Sequence, residues 1–215
     1  MRLRGRDRRP VAAPAAPSRG TVHALVAALA RACAVLGGLA LSALIVLTCL
    51  SIAGRSLNSL LHGEAAQSLA PGLANALLAL GVGPIDGDFE LVEAGMAFAI
   101  FAFLPLCQLE GAHASVDVFT SRLPLRANRF LRAAIETVFA VVLVLIAVQL
   151  FAGMQSKLRS GQTTFLLQFP VWWGYAAGLA GAAVAALVSV YVAFARLVEA
   201  ATGRTVLPPE READH

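Results

Sequence analysis

The chain has 215 residues, 58% of them hydrophobic and 14% charged, with a net charge of +4. Soluble domains run at roughly 45–50% apolar and about 25% charged, and a small soluble fold cannot hide this much apolar surface. The composition excludes an ordinary cytosolic enzyme, a disordered chain and a nucleic-acid-binding module of the usual kind, and points to a polytopic membrane protein.

Residues 1–30 open with MRLRGRDRRPVAAPAAPSRG, a basic, Pro/Ala-rich stretch expected to be a disordered cytoplasmic arm resting on anionic headgroups. The arm is long for a signal-peptide n-region, and the apolar run after it exceeds an h-region, so cleavage is not expected. A first span is predicted over 32–54, uncharged and bracketed by Arg31 and Arg55. Residues 65–85 are also uncharged but contain Gln67, Pro71, Gly72, Asn75, Gly81, Gly83 and Pro84. Their continuous apolar part, Leu73 to Leu80, is too short to cross a bilayer. It reads as a short extra helix on the surface or packed against the spans. A second span is predicted over 91–109, with Pro105 near its end. An amphipathic helix starting at Leu123-Pro124, proline in the first turn, follows it. The third span is predicted over 137–156 and the fourth over 173–195, the latter opened by Trp172, Trp173 and Tyr175 as an interfacial aromatic anchor. The membrane domain is thus 31–196, followed by a polar cytoplasmic tail, 197–215. The fold class is an all-α integral membrane protein with four transmembrane helices.

Charge sets the expected orientation. With four spans, fourteen basic residues fall on the side of the N-terminus, the 2–3 loop and the C-terminus, and three (Arg55, Lys157, Arg159) on the other. The positive-inside rule then places both termini in the cytoplasm. A fifth span would separate the four-arginine loop (Arg122, Arg126, Arg129, Arg132) from the basic arm.

Charges that might carry chemistry gather at the two boundaries. On the outer side Arg55 closes the first span, and Asp86, Asp88, Glu90 and Glu93 precede or enter the second. Glu90 and Glu93 are three apart and share a helix face. A proton or cation site is one reading. A structural ion pair with Arg55, plus acidic charge at a helix N-terminus, is the favoured one, because no second buried acid is expected in any span. On the inner side His113 and Asp117 are four apart. A zinc site needs three or four ligands, and no other His or Cys is well placed, so a polar connecting loop is favoured over metal or acid–base chemistry. Pro170 biases Phe169 toward an extended shape before the fourth span. Cys33, Cys49 and Cys107 lie in apolar stretches without metal-ligand spacing and read as buried free thiols. There is no GxxxxGK[ST], GxSxG or HExxH. The third and fourth spans show almost no polar residues, and Gly178 and Gly181 suit close helix packing. This pattern favours a partner subunit over a pore.

In order, Arg55, the Glu90/Glu93 pair, Gly111-Ala-His113-Ala-Ser-Val116-Asp117-Val, Arg122-Leu-Pro124 and the Leu167-Gln-Phe-Pro170-Val-Trp172 run resemble the small membrane subunit (Q-type, small permease) of the tripartite ATP-independent periplasmic (TRAP) transporters. The resemblance covers Arg31 to Phe194. The stretch from Ser56 to Asp88 is longer than the resemblance leads one to expect, Ala114 replaces a larger aliphatic residue, and Glu110 stands near a usually basic position. The resemblance implies a non-catalytic subunit of the bacterial inner membrane, without cofactor or metal. It braces a large sodium-coupled permease subunit and helps dock a periplasmic substrate-binding protein that delivers a small organic anion, often a carboxylate. On this reading Arg55, Glu90 and Glu93 support the outer surface, and His113 and Asp117 order the inner loop. The alternative from a different class is a small intramembrane enzyme or redox-carrier anchor using His113 and Asp117. A general assembly factor is a third.

Overall fold

The computed structural model describes residues 21–111 and 124–203. Among the described residues six helices follow in order: α1 Thr21–His62, α2 Glu64–Leu69, α3 Pro71–Ala79, α4 Asp88–Glu110, α5 Leu125–Ser160 and α6 Trp172–Thr202. Four of them, α1, α4, α5 and α6, are long and apolar enough to span a bilayer. The protein is therefore an all-α, four-span membrane protein, and residues 65–85 add no fifth span.

The helices end where the sequence supplies a stop. Gly111, Gly161 and Gly203 take the left-handed conformation, with φ of 63°, 63° and 73°, at the C-terminal ends of α4, α5 and α6. Glycine enters that region without a Cβ clash. Pro71 occupies the first turn of α3, where its missing N–H costs nothing.

Packing runs as a row, α1 on α4, α4 on α6, and α6 on α5. Small residues make each seam. A Cβ on Gly37 of α1 would come within 2.8 Å of the Ala102 Cβ on α4, and one on Gly181 of α6 within 2.9 Å of the Phe101 Cβ and 3.1 Å of the Ala102 backbone. On the other side of α6, Ala185 and Ala186 pack against Leu143 of α5. Lipid is as apolar as leucine and supplies no hydrophobic drive between helices, so close van der Waals approach does the work.

Four sequence expectations are corrected. Residues 21–30, assigned to the disordered arm, are the first turns of α1, because Val26, Ala27 and Ala30 are buried and Val26 packs against Val188, Val192 and Ala195 of α6. Residues 197–202, assigned to the tail, continue α6 to its Gly203 stop. The helix expected near Leu123-Pro124 does begin at Leu125, but it runs unbroken into the third span, since no proline stands between Arg126 and Ser160. Finally, residues 64–79 form two short helices, with the break at Ala70, just before Pro71. The chain then folds back onto α1: the Ile85 amide donates to Ser51 Oγ (3.3 Å), and Gly83 lies against Gly54, where a Cβ would meet the Gly83 carbonyl at 2.1 Å.

Candidate functional site: the capped acidic end of the bundle

The N-terminal end of α4 is acidic by sequence, and acidic side chains there oppose the positive end of the helix dipole. Gly87 precedes the helix with φ of 75°. Its lack of a side chain lets Leu167 pack directly on it, since a Cβ would sit 2.4 Å from the Leu167 Cγ.

Leu167 belongs to a tight loop between α5 and α6. Thr163 and Pro170 form an antiparallel bridge, the Thr164 amide donates to the Phe169 carbonyl (2.9 Å), and the Val171 amide donates to the Gln162 carbonyl (3.0 Å). Gln168 turns the chain with φ of 56°, which a non-glycine residue takes at a conformational cost. Two amides at the tip would otherwise be unpaired. The Leu166 amide donates to Glu90 Oε1 at 2.7 Å and the Leu167 amide to Glu90 Oε2 at 3.0 Å. Both oxygens of a buried carboxylate on α4 are thus used to pin a loop 76 residues away. Charge-assisted bonds of this kind are about twice as strong as neutral ones.

Arg55 lies on the opposite flank of the α4 end. Its Nη2 is 3.8 Å from Asp88 Oδ2, and the guanidinium is largely exposed. Pro170 closes the bridge with Thr163, its carbonyl accepts the Trp173 amide at 3.0 Å, and Trp172 begins α6 in a T-shaped contact with Trp173. Beneath the loop lies a cavity of about 510 Å³. Its walls include Phe89, Glu90, Glu93 and Ala97 of α4, Leu150 of α5 and Tyr175 of α6, with Thr164 and Phe169 of the loop above. The Thr164 hydroxyl oxygen is buried there beside the Glu90 carboxylate.

Of the residues singled out from sequence, the structure brings Glu90, Glu93, Pro170 and Trp172 around the loop and its cavity, and places Arg55 beside Asp88 at the same end. Pro124 stands alone just before α5 at the other end. His113 and Asp117 lie outside the described residues.

The opposite end of the bundle holds polar groups that sequence reasoning missed. No second buried acid was expected in a span, yet Glu136 of α5 and Glu199 of α6 are both buried. Gln108 of α4, also buried, donates from Nε2 to Glu136 Oε2. Arg196 pairs with Glu199 at 3.0 Å, and Arg129 donates to the Gly203 carbonyl at 3.1 Å. Glu136 stood one residue outside the predicted span, and it is buried because α5 starts at Leu125. The available signal was the run Arg132-Ala-Ala-Ile-Glu136, with its basic and acidic residues four apart. Among the described residues no three His, Cys, Asp or Glu side chains come together as a metal site.

Residues 44–200 match the family model described as the DctQ component of tripartite ATP-independent periplasmic transporters. No curated protein and no solved structure gives a significant match. The family is a transporter component and not an enzyme family. A four-span bundle built on small-residue seams, with an acidic cluster at one end and a match over most of its length, belongs to the DctQ component family of the TRAP transporters.

Proposed function

We propose that this subunit sits in the inner membrane with both termini in the cytoplasm. There it braces the large sodium-coupled permease subunit, and it offers part of the outer surface on which a periplasmic binding protein docks to deliver a small organic anion such as a carboxylate. The observation that carries the bracing role is the division of the apolar surface. The outer helices of the row, α1 and α5, turn large side chains such as Leu36, Ile45, Leu50, Val141, Leu145 and Val148 outward, while the seams between helices use glycine and alanine. Two broad apolar flanks on a subunit with few polar groups in its spans suit contact with lipid on one side and with a larger membrane protein on the other.

The docking role is supported by the outer loop, which the two Glu90 bonds hold in one shape. The inward position of the termini is supported by the excess of basic residues on that side. The test is uptake in cells lacking this chain alone. Uptake of the cognate anion is lost, the binding protein still captures it, and restoring the chain restores uptake. Uptake that persists without this chain, or transport by this chain purified alone, would refute the reading. Reporter fusions at each terminus check orientation.

A further inference from the structure

The cavity under the outer loop contains a charged group with no role so far. Glu93 lies on its wall and makes no hydrogen bond or ion pair with any described residue. It follows Asp88 by five positions, ~7.5 Å further along α4 at 1.5 Å per residue. The polar interface of a leaflet is only about 5–8 Å deep. With Asp88 paired to Arg55 at the outer boundary, the Glu93 carboxylate stands at the edge of the hydrocarbon, where an unpaired charge is costly and usually faces a partner.

We propose that the cavity receives a lysine or arginine side chain of the large permease subunit, paired with Glu93. This rests on the reading of the chain as that subunit's brace. The walls suit such a group. Phe89, Phe169 and Tyr175 supply aromatic side chains, on which a guanidinium or ammonium is favourably held. The buried Thr164 hydroxyl oxygen, beside Glu90, keeps lone pairs that can accept a hydrogen bond from the incoming group. Glu90 lines the same space but is committed to the loop amides, so Glu93 is the carboxylate left for the incoming cation. A phospholipid is a poorer fit, because no basic residue lines the cavity and none occurs between Arg55 and Arg122 to receive a phosphate. The cavity is walled by three membrane-spanning helices, α4, α5 and α6, together with Thr164, Phe165 and Phe169 of the loop.

The experiment uses the full chain co-expressed with the large permease subunit. Complex recovery is compared for wild type, Glu93→Gln and Glu93→Lys, with the thermal midpoint of each lone variant in detergent as the folding control. The expected result is a complex weakened roughly thirtyfold by Glu93→Gln and more by Glu93→Lys, with lone-chain midpoints unchanged. A photo-crosslinking residue at Phe89, at the same cavity, should capture the large subunit. Should Glu93→Lys fail to fold, Glu93→Gln and the crosslink carry the test. Wild-type recovery with both variants matching it overturns this pairing while leaving the bracing role intact. A crosslink to lipid alone, or an aminolipid retained by the lone chain and lost in Glu93→Gln, assigns the cavity to lipid and also overturns it. Failure of the wild-type chain to recover the large subunit brings down both readings.

Discussion

α1 and α6 are both long apolar helices, and the central apolar window of α1 is the more hydrophobic, yet half of that window in α6 is buried inside the chain and only 6% of that in α1. The difference lies in residue size. α6 turns Gly178, Gly181, Ala182, Ala185, Ala186 and Ser189 into the bundle, whereas α1 contributes Gly37 and Leu44 to its seam with α4 and turns Leu36, Leu39, Ile45, Leu50 and Ile52 outward. In water the more apolar helix would take the centre. In a membrane the helix that allows the closest approach takes it, and the bulky one is left for lipid or a partner.

That contrast can be broken at its centre first. Gly181→Leu should have the largest effect, because even a Cβ there meets α4 backbone at 3.1 Å. The seam must open, at about 3 kcal/mol or more, read as a lower thermal midpoint or loss of a monodisperse peak in detergent. Gln108→Leu should be next. It removes the donor from the Glu136 carboxylate between α4 and α5, and interhelical hydrogen bonds in membranes are worth about 1–2 kcal/mol at most. A double-mutant cycle with Glu136→Gln isolates the pair. Glu90→Gln replaces one accepting oxygen by an amide nitrogen that cannot accept. The helices should stay packed while the Leu166 and Leu167 amides exchange with solvent roughly tenfold faster, measured by hydrogen exchange. Retained protection would show that the loop holds itself. The smallest effect on the lone chain belongs to the edge: Leu36→Ala with Ile45→Ala on α1 should shift the fold by less than about 0.5 kcal/mol per site yet lower recovery of the large subunit. A large loss of lone-chain stability would mean that α1 is not an edge helix.

Span number and the non-spanning character of 65–85 were legible because length and polarity decide them. Gln67, Pro71, Gly72 and Asn75 break an apolar run that a window average does not see. The start of α1 at Thr21 was hidden because its first turns owe their order to packing against Val188 and Val192, a contact about 165 residues distant that no local signal carries. At the acidic end the cluster stood out, but its division of labour did not. Asp88 takes Arg55, Glu90 takes the loop, and Glu93 faces the cavity. Three carboxylates within six residues look alike until the fold brings a second segment to one of them. The inner pair Gln108–Glu136 was missed for a simpler reason: neither residue is unusual at a span boundary, and only the unbroken α5 carries Glu136 inside.

The three glycine stops at Gly111, Gly161 and Gly203 have a consequence for how the protein meets bilayers of different thickness. A helix with a left-handed terminus cannot add a turn to suit a thicker membrane. The lengths of α4, α5 and α6 are therefore properties of the chain, and mismatch has to be absorbed by tilt or by the lipid. Because close contacts hold α6 to α4 at Gly181 and to α5 at Ala185 and Ala186, these helices lean together. The subunit acts as a gauge of fixed height, and whatever is seated on its flank inherits the same angle to the membrane.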